Sequence, residues 1–328
     1  MGTVTGQVVL RADGQPLGFT TISVLSQRTQ RLASDSGTFV LRGLPPGEIR
    51  LRFRQIGFAP KDTSFIVAAG ETARIRIEMT RLALELPTVV VSGTCTDRTS
   101  FEQQSGVLAE LFDQIRSNAE RLRLLATERP FVIQTVSVGG FRDRDDRILG
   151  AARTDTVERG PLPPKPYVPR RVISRGEGAF AGQWVIKLPE LPDLADTAFT
   201  NNHCFRYAGQ ERLESDSVIR VDFEPVPWLA REVDLEGSIY LRADGYQLVG
   251  LVTKLNRIPP QNRALQEYVV RARFSEIVSG VPVLSEWTLT NTFHDDDRPP
   301  FVYTGRVTGV TWLDSLPARR DTLRPPPR

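Results

Sequence analysis

Histidine, a frequent metal ligand and proton carrier, occurs only twice in this 328-residue sequence, as His203 and His294. A zinc peptidase needs two histidines and a glutamate on one ion, with one coordination position left open. The sequence lacks the short spacing of histidine and glutamate that would bring such ligands together. His203 is followed directly by Cys204, and adjacent residues on a strand point to opposite faces. We therefore predict no metal site and no cofactor.

One acidic cluster follows the second histidine, at Asp295, Asp296 and Asp297. Carboxylate oxygens can hold calcium, but the spacing differs from that of an EF-hand loop. The cluster lies between two strand-like segments and is followed by Arg298-Pro299-Pro300. This context favours a polar hairpin connection over a calcium site.

Motifs for nucleophilic catalysis and phosphate binding are missing. There is no Gly-x-Ser-x-Gly elbow, no P-loop and no Gly-x-Gly-x-x-Gly. Cys204 beside His203 would support Cys–His catalysis only if the two side chains met in the right orientation. The many carboxylates could include a catalytic pair, but nothing in the sequence singles one out. We predict that the protein is not an enzyme and has no catalytic residues.

The charge pattern argues against nucleic acid as a partner. A net charge of +3 is small for this length, and the arginines alternate with acidic residues rather than forming one basic cluster with a reader motif. Arg220, Arg242, Arg271, Arg273 and Arg306 alternate with apolar residues along strand-like segments. They could form a docking surface for anions, but a solvated outer face is the favoured interpretation.

The sequence has no run of about 18 apolar residues, which predicts that it has no transmembrane segment. It also opens without the basic, apolar and cleavage regions of a signal peptide. A strand-like segment follows Met1-Gly2 directly, so we expect that a signal peptide has been removed. A cytoplasmic protein is the alternative.

Two residue types remain as candidates for sites. Cys95 and Cys204 could form one disulfide, or they could be two buried thiols. Trp184, Trp228 and Trp287 could face a ligand on a β-sheet, although tryptophans more often pack in a core.

The elements that would position these residues are mainly strands. Residues 3–79 alternate polar and apolar side chains between closely spaced turns, which predicts a small β-sandwich of about seven strands. Apolar residues at helical spacing predict one amphipathic helix over 102–127, with a capping box at Ser100 and Gln103. We expect residues 142–171 to form a long charged and proline-rich loop. Strand patterns then continue to about residue 312, including a hairpin that turns at Asp244-Gly245.

The segment SDSGTFVLRGLPPGEIRLRFRQIGFAP, residues 34–60, together with TVTGQVVLRADGQPLGFTTISV, resembles the carboxypeptidase regulatory-like domain. The resemblance covers residues 3–80. It implies a transthyretin-like, seven-stranded sandwich with a carbohydrate-binding-like fold and without catalytic residues. Such modules also stand at the N-termini of TonB-dependent receptors, and LELPTVVVSG resembles the segment that follows them there. The remaining chain is too short for a receptor barrel.

The second half resembles lipoprotein carriers and sorting-type proteins in its hairpin pattern. This resemblance rests on IRVDFEPVP and LEGSIYLRADGYQLVGLVTKL. It implies a curved antiparallel sheet packed on one amphipathic helix. We therefore predict a mainly β protein with a sandwich at 3–80, a linker at 81–98, a helix-plus-sheet domain at 99–316 and a disordered tail at 317–328.

These patterns together predict a non-enzymatic protein of the cell envelope, periplasmic or associated with the outer membrane. The sandwich would serve interaction or positioning, and the second domain would bind a protein partner or an apolar or carbohydrate ligand. The alternative is an envelope hydrolase acting on carbohydrate or peptide, with carboxylates that the sequence does not identify.

Overall fold

The structure is a computed structural model. It describes residues 1–27, 29–84, 86, 106–143, 145, 147–150, 152–159, 166–175, 184–278, 280–295 and 297–313. The predicted capping box at Ser100 and Gln103, most of the predicted linker and the predicted tail lie outside the described residues. No helix within these ranges is long and apolar enough to cross a membrane.

The N-terminal strands form the predicted seven-stranded sandwich. One sheet has the order β4-β1-β7 and the other β3-β2-β5-β6. The strands are β1 Gly2–Leu10, β2 Thr21–Val24, β3 Thr29–Leu32, β4 Thr38–Leu44, β5 Gly47–Arg54, β6 Lys61–Val67 and β7 Thr72–Met79.

Strand β5 shows why this sequence forms a sandwich. Ile49, Leu51 and Phe53 are at most 1% exposed in the core between the two sheets. Burying each of these side chains contributes roughly 1.5–3 kcal/mol. Gly43 and Gly47 flank the turn before this strand with φ of 72° and 120°, values that glycine adopts without a steric penalty. The segment from 34 to 60 therefore builds the module.

The described residues after the sandwich form a long helix, two short helices and a large antiparallel sheet. The ten-stranded sheet has the order β10-β8-β19-β18-β17-β16-β15-β14-β13 with β9 paired to β8, and β11 and β12 form a separate two-stranded sheet. The elements are α1 Gly106–Glu128, β8 Phe131–Arg142, β9 Ile148–Leu149, β10 Ala152–Arg159, β11 Ile173–Arg175, β12 Trp184–Ile186, α2 Leu191–Ala195, α3 Thr197–Thr200, β13 His203–Leu213, β14 Asp216–Pro225, β15 Leu235–Arg242, β16 Leu248–Leu255, β17 Leu265–Val278, β18 Val281–Phe293 and β19 Phe301–Trp312.

One local prediction was wrong, and two short helices were missed. Residues 152–159, expected in a loop, form β10, because their backbone pairs along β8 from Ala152↔Val138 to Arg159↔Phe131. The short helices α2 and α3 were not predicted. At five and four residues, respectively, they are too short to show a helical period, and they are held by caps from Asp193 and Asp196.

The hairpin at Asp244-Gly245 is present, but its turn is wider than expected. Arg242 donates its backbone N–H to the carbonyl of Gln247 at 2.9 Å, so residues 243–247 form the connection. The positive φ of 57° falls on Tyr246 instead of Gly245. Tyr246 is buried in the main core, and its hydroxyl accepts the backbone N–H of Leu84. Packing of this side chain sets the turn.

Helix α1 lies between the sandwich and the large sheet. Leu111, Phe112 and Ile115 pack into the main core with strands β13 to β17. On its other side, Asp113 pairs with Arg54 at 2.6 Å, and the backbone N–H of Gly57 donates to the side chain of Gln114. The sandwich therefore covers the helix on the side away from the sheet.

Arg121 joins three parts of the molecule, although it is almost fully buried. Its Nε donates to the carbonyl of Phe19 in the sandwich at 2.9 Å, and its guanidinium lies against Gly280 in the β17–β18 turn. Burial lowers the pKa of Arg121 to about 10, while the charge of Glu276 raises it. The buried charge is a structural feature that the sequence pattern did not reveal.

Candidate ligand-binding face

The large sheet has an inner face, which carries α1, and an outer face. On β17 the inner face is set by Tyr268, Val270 and Ala272, which belong to the same core as α1. The strand register extends this face to β18, where Ala272 lies opposite Trp287 and Val270 opposite Leu289. Residues facing each other across an antiparallel pair share one face of the sheet. The inner face thus continues past the core.

Beyond β17, the inner face carries a surface that we call the aromatic floor. Three cross-strand rows build it over β18, β19 and β8. These rows are Trp287–Gly305–Ser137, Leu289–Tyr303–Gly139 and Asn291–Phe301–Phe141. Phe293 lies two residues after Asn291 on β18, and its ring centroid is 6.4 Å from that of Phe141. The aromatic floor consists of Phe141, Trp287, Leu289, Phe293, Phe301 and Tyr303.

Two glycines allow rings of the aromatic floor to lie along the sheet. A Cβ on Gly305 would come within 2.2 Å of the Trp287 ring, and a Cβ on Gly139 within 2.6 Å of the Tyr303 ring. Separations below 3.0 Å cannot be accommodated without a shift. The Tyr303 hydroxyl donates to Ser137 Oγ at 2.8 Å, which fixes this ring. Any side chain larger than glycine at these positions would displace the rings.

The aromatic floor is less buried than the neighbouring part of the same face. Over β13 to β17, inner side chains such as Ile219, Ile239 and Leu248 are fully buried under the helices. The rings of the aromatic floor remain half-buried, and Phe141 is 38% exposed. Apolar surface that stays accessible next to a core is the usual property of a ligand site.

A cation stands at one end of the aromatic floor. The Arg298 guanidinium lies 3.7 Å from the centroid of the Phe293 ring and 5.6 Å from that of Phe141. Arg298 belongs to the connection between β18 and β19, in which Asp295 accepts the backbone N–H of Asp297. Asp296 lies outside the described residues. The arrangement places a positive charge beside an apolar surface.

Trp228 and Trp287, the candidate tryptophans with described side chains, are not brought together. Trp287 lies on the aromatic floor. Trp228 is 47% exposed in the turn after β14, four strands away from β18 in the sheet order. Trp184 lies on β12, where its backbone pairs with that of Arg175. The structure does not describe the side chain of Trp184. Between Trp228 and Trp287, whose side chains the structure describes, Trp287 is the one on the aromatic floor.

Of the two candidate disulfide residues, the structure describes only Cys204. Cys204 is buried next to Val226 and Leu229 and is not a free thiol. Cys95 lies outside the described residues. The bridge between them therefore stays a prediction.

A buried polar cluster occupies the covered part of the sheet. Asp234 is fully buried and accepts the Tyr167 hydroxyl at 2.9 and 3.0 Å, and its Oδ1 lies 3.8 Å from His203 Nε2. The His203 ring nitrogens lie 2.9 and 3.0 Å from the carbonyls of Phe199 and Leu235. Burial lowers the pKa of His203, whereas these carbonyls and Asp234 raise it. The cluster ties the segment around residue 167 to β13 and β15.

A second buried carboxylate, Asp193, has a similar structural role. It accepts the backbone N–H groups of Tyr167 and Glu190 and pairs with Lys187 at 2.8 Å. Neither Asp193 nor Asp234 is exposed by more than 2%. These carboxylates are thus used to hold chain segments in place, and neither is open to a substrate.

A crevice of about 520 Å³ separates the sandwich from the end of α1. Phe19, Leu32 and Val40 line its sandwich side, and Leu125 and Glu128 its helix side. Burial raises the pKa of the Glu128 carboxyl, although the backbone N–H of Leu32 and the charge of Arg31 lower it. Apolar and charged residues thus line this crevice together, and it is a second surface that a ligand could reach.

Comparison with known proteins supports the N-terminal resemblance. Residues 3–80 match the model of the carboxypeptidase regulatory-like domain. No curated protein matches the chain.

Several solved structures are similar to parts of the chain. A LolA superfamily protein from Nitrosomonas europaea is 11% identical with a TM-score of 0.33, over 62% of this chain and 94% of that one. A domain described as an outer membrane lipoprotein-sorting protein, from Vibrio parahaemolyticus, is 8% identical with a TM-score of 0.35, over 63% and 93%. A DUF1329 family protein from Desulfovibrio piger is 8% identical with a TM-score of 0.34, over 63% and 95%. At these TM-scores we infer no function from them.

Proposed function

We propose that this chain is a non-enzymatic binding protein of the cell envelope, and that the aromatic floor binds the acyl chain of an anionic lipid-like ligand. The observation that supports this proposal is a half-buried aromatic surface that continues the core of the sheet. The sandwich positions the molecule or contacts a partner protein.

The shape and chemistry of the aromatic floor favour an acyl chain. Rings held flat over Gly139 and Gly305 offer a broad apolar surface, which suits a flexible hydrocarbon. Burial of apolar ligand surface contributes roughly 25 cal/mol for each Å² removed from water. Few hydrogen-bonding groups interrupt this surface, and the Tyr303 hydroxyl is already bonded to Ser137.

The position of Arg298 favours a ligand with a negative head group. Its guanidinium sits beside Phe293 and Phe141, at the end of the aromatic floor. A carboxylate or phosphate on the ligand could pair with this guanidinium while the chain lies on the rings. A neutral hydrocarbon would leave the charge without a partner from the ligand.

The envelope assignment is the part of the proposal that rests most on sequence resemblance. Residues 3–80 match a module that also stands at the N-termini of outer-membrane receptors. The hydrolase alternative has less support, since the buried carboxylates Asp193 and Asp234 are engaged in structural hydrogen bonds.

Titration with cis-parinaric acid, a fluorescent fatty acid, tests the proposal. Delipidated protein should enhance the fluorescence of this probe in a saturable way. Phe141→Asp should weaken binding by about tenfold, because it places a charge among the rings. Ile66→Asp is the matched control, because Ile66 is 81% exposed on the sandwich. Equal affinities of both variants and the wild type would refute the assignment.

A further inference from the structure

The outer face of the large sheet differs in charge from one end to the other. Toward β13 and β14, arginines are neutralised by close carboxylates. Asp222 accepts from Arg206 Nη2 and from Arg220 Nε, both at 2.7 Å. On β15 and β16, Glu236 pairs with Lys254 at 2.9 Å. This part of the outer face is a closed set of ion pairs.

Toward β17, β18 and β8, the positive charges form an open groove of about 450 Å³. Its polar lining consists of Arg142, Arg271, Arg273, Glu286, Thr288 and Thr290. Among the described residues Arg271 forms no ion pair. Arg273 contacts Glu214, whose side chain is 67% exposed, and ion pairs as exposed as this one are weak. Arg271 and Arg273 therefore bring two guanidinium groups to the groove, beside the one carboxylate of Glu286.

We infer that this groove binds a phosphate group attached to a polyol. Guanidinium groups match the geometry of phosphate oxygens and can donate two parallel hydrogen bonds to them. The hydroxyls of Thr288 and Thr290 supply further donors on the same face. The Glu286 carboxylate can accept hydrogen bonds from hydroxyl groups next to the phosphate, which a bare phosphate does not offer.

The groove and the aromatic floor lie mainly on opposite faces of the sheet, although Trp287 of the aromatic floor also lines the groove. Arg271, Glu286 and Thr288 lie on the outer face, because their strand neighbours Ala272 and Trp287 point to the inner face. The variants that test the two proposals change different residues, Phe141 for the aromatic floor and Arg271 with Arg273 for the groove, so either proposal can fail without the other.

Isothermal titration calorimetry on the full chain at low ionic strength tests the inference. The probes are glycerol 3-phosphate, inorganic phosphate and acetate. Glycerol 3-phosphate should bind most tightly and acetate most weakly. Arg271→Gln/Arg273→Gln should raise the Kd for glycerol 3-phosphate by at least about tenfold, since bonds to charged groups are the strong ones. Added salt should weaken the binding.

Arg206→Gln is the matched control, because it removes one positive charge from the neutralised part of the same face. It should leave the Kd unchanged, and thermal melting should show that both variants fold. Absence of binding by the wild type would overturn the inference, as would equal weakening by Arg206→Gln. Acetate binding as tightly as the phosphates would exclude phosphate as the recognised group. Equal affinity for the two phosphates would exclude the polyol.

Discussion

Two parts of one sheet face carry similar apolar side chains but differ in what covers them. Over β13 to β17, the inner face is sealed by α1, α2 and α3, and its side chains such as Ile219 and Leu251 are at most 1% exposed. On the aromatic floor, the rings of Trp287 and Tyr303 stay half-buried over Gly305 and Gly139. We infer that the covered part of the face stabilises the fold and that the aromatic floor is left accessible for binding.

The largest expected effect is a difference in stability between substitutions in the covered part of the sheet and substitutions on the aromatic floor. Phe112→Ala removes a fully buried ring of α1 that packs on Phe205, with 4.4 Å between the two ring centroids. We expect it to lower the free energy of unfolding by about 3–5 kcal/mol, through lost burial and a cavity. Phe141→Ala on the aromatic floor should cost less than about 1 kcal/mol, because its ring is partly in water already. Urea denaturation of both variants measures the difference. Equal losses in the free energy of unfolding would mean that the aromatic floor belongs to the hydrophobic core.

A disulfide would add a covalent tie to the covered part, since Cys204 lies on β13. If Cys95 and Cys204 are bridged, non-reducing peptide mapping should recover them as one linked pair. Cys204→Ala should then lower stability by about 2–4 kcal/mol under oxidising conditions. Two alkylated thiols in the unreduced, denatured protein would contradict the bridge.

Tyr167→Phe tests the polar cluster of the covered part. It removes the hydroxyl that donates to the fully buried carboxylate of Asp234. The backbone N–H of Leu235 still donates to this carboxylate, so we expect a loss of about 1–3 kcal/mol in thermal or urea denaturation. Tyr303→Phe is the control, since its hydroxyl bonds Ser137 at a half-buried site. If Tyr303→Phe lost as much stability as Tyr167→Phe, the covered part of the sheet and the aromatic floor would not differ in this respect.

The smallest expected effect is a pH dependence at His203. Burial lowers the pKa of this imidazole in the folded state, so the unfolded chain binds more protons below its own pKa of about 6.5. Stability should therefore decrease as the pH falls below about 6.5. The wild type should lose more stability than His203→Gln between pH 7 and pH 5. A gain in the stability of the wild type relative to His203→Gln at the lower pH would contradict this expectation. It would show that the protonated imidazole donates to both carbonyls.

Short-range patterns in the sequence predict the elements well. Alternation along Ile49, Leu51 and Phe53 predicts β5, and helical spacing predicts α1 to within one residue of its end at Glu128. The β10 strand was missed because its charged residues are ordered by pairing with β8 rather than by an apolar face. Local pattern does not contain that pairing.

The candidate site depends on long-range register, which the sequence does not contain. Trp184, Trp228 and Trp287 looked equivalent, and only the pairing of Trp287 with Gly305 places one of them on the aromatic floor. Gly139 and Gly305 look like ordinary strand glycines until the opposite ring is known. Asp234 and His203 meet only because β13 and β15 flank β14 in the sheet. The spacing of these residues gave no signal for the contact.

Photolabelling with a diazirine fatty acid tests the central claim most directly. The labelled protein is digested, and the modified peptides are identified by mass spectrometry. We predict that labels concentrate on 131–142, 281–293 and 301–312, and that unlabelled fatty acid competes for them. Labelling that concentrates at the crevice between the sandwich and α1, or scatters without competition, would contradict the assignment of the aromatic floor as the binding site.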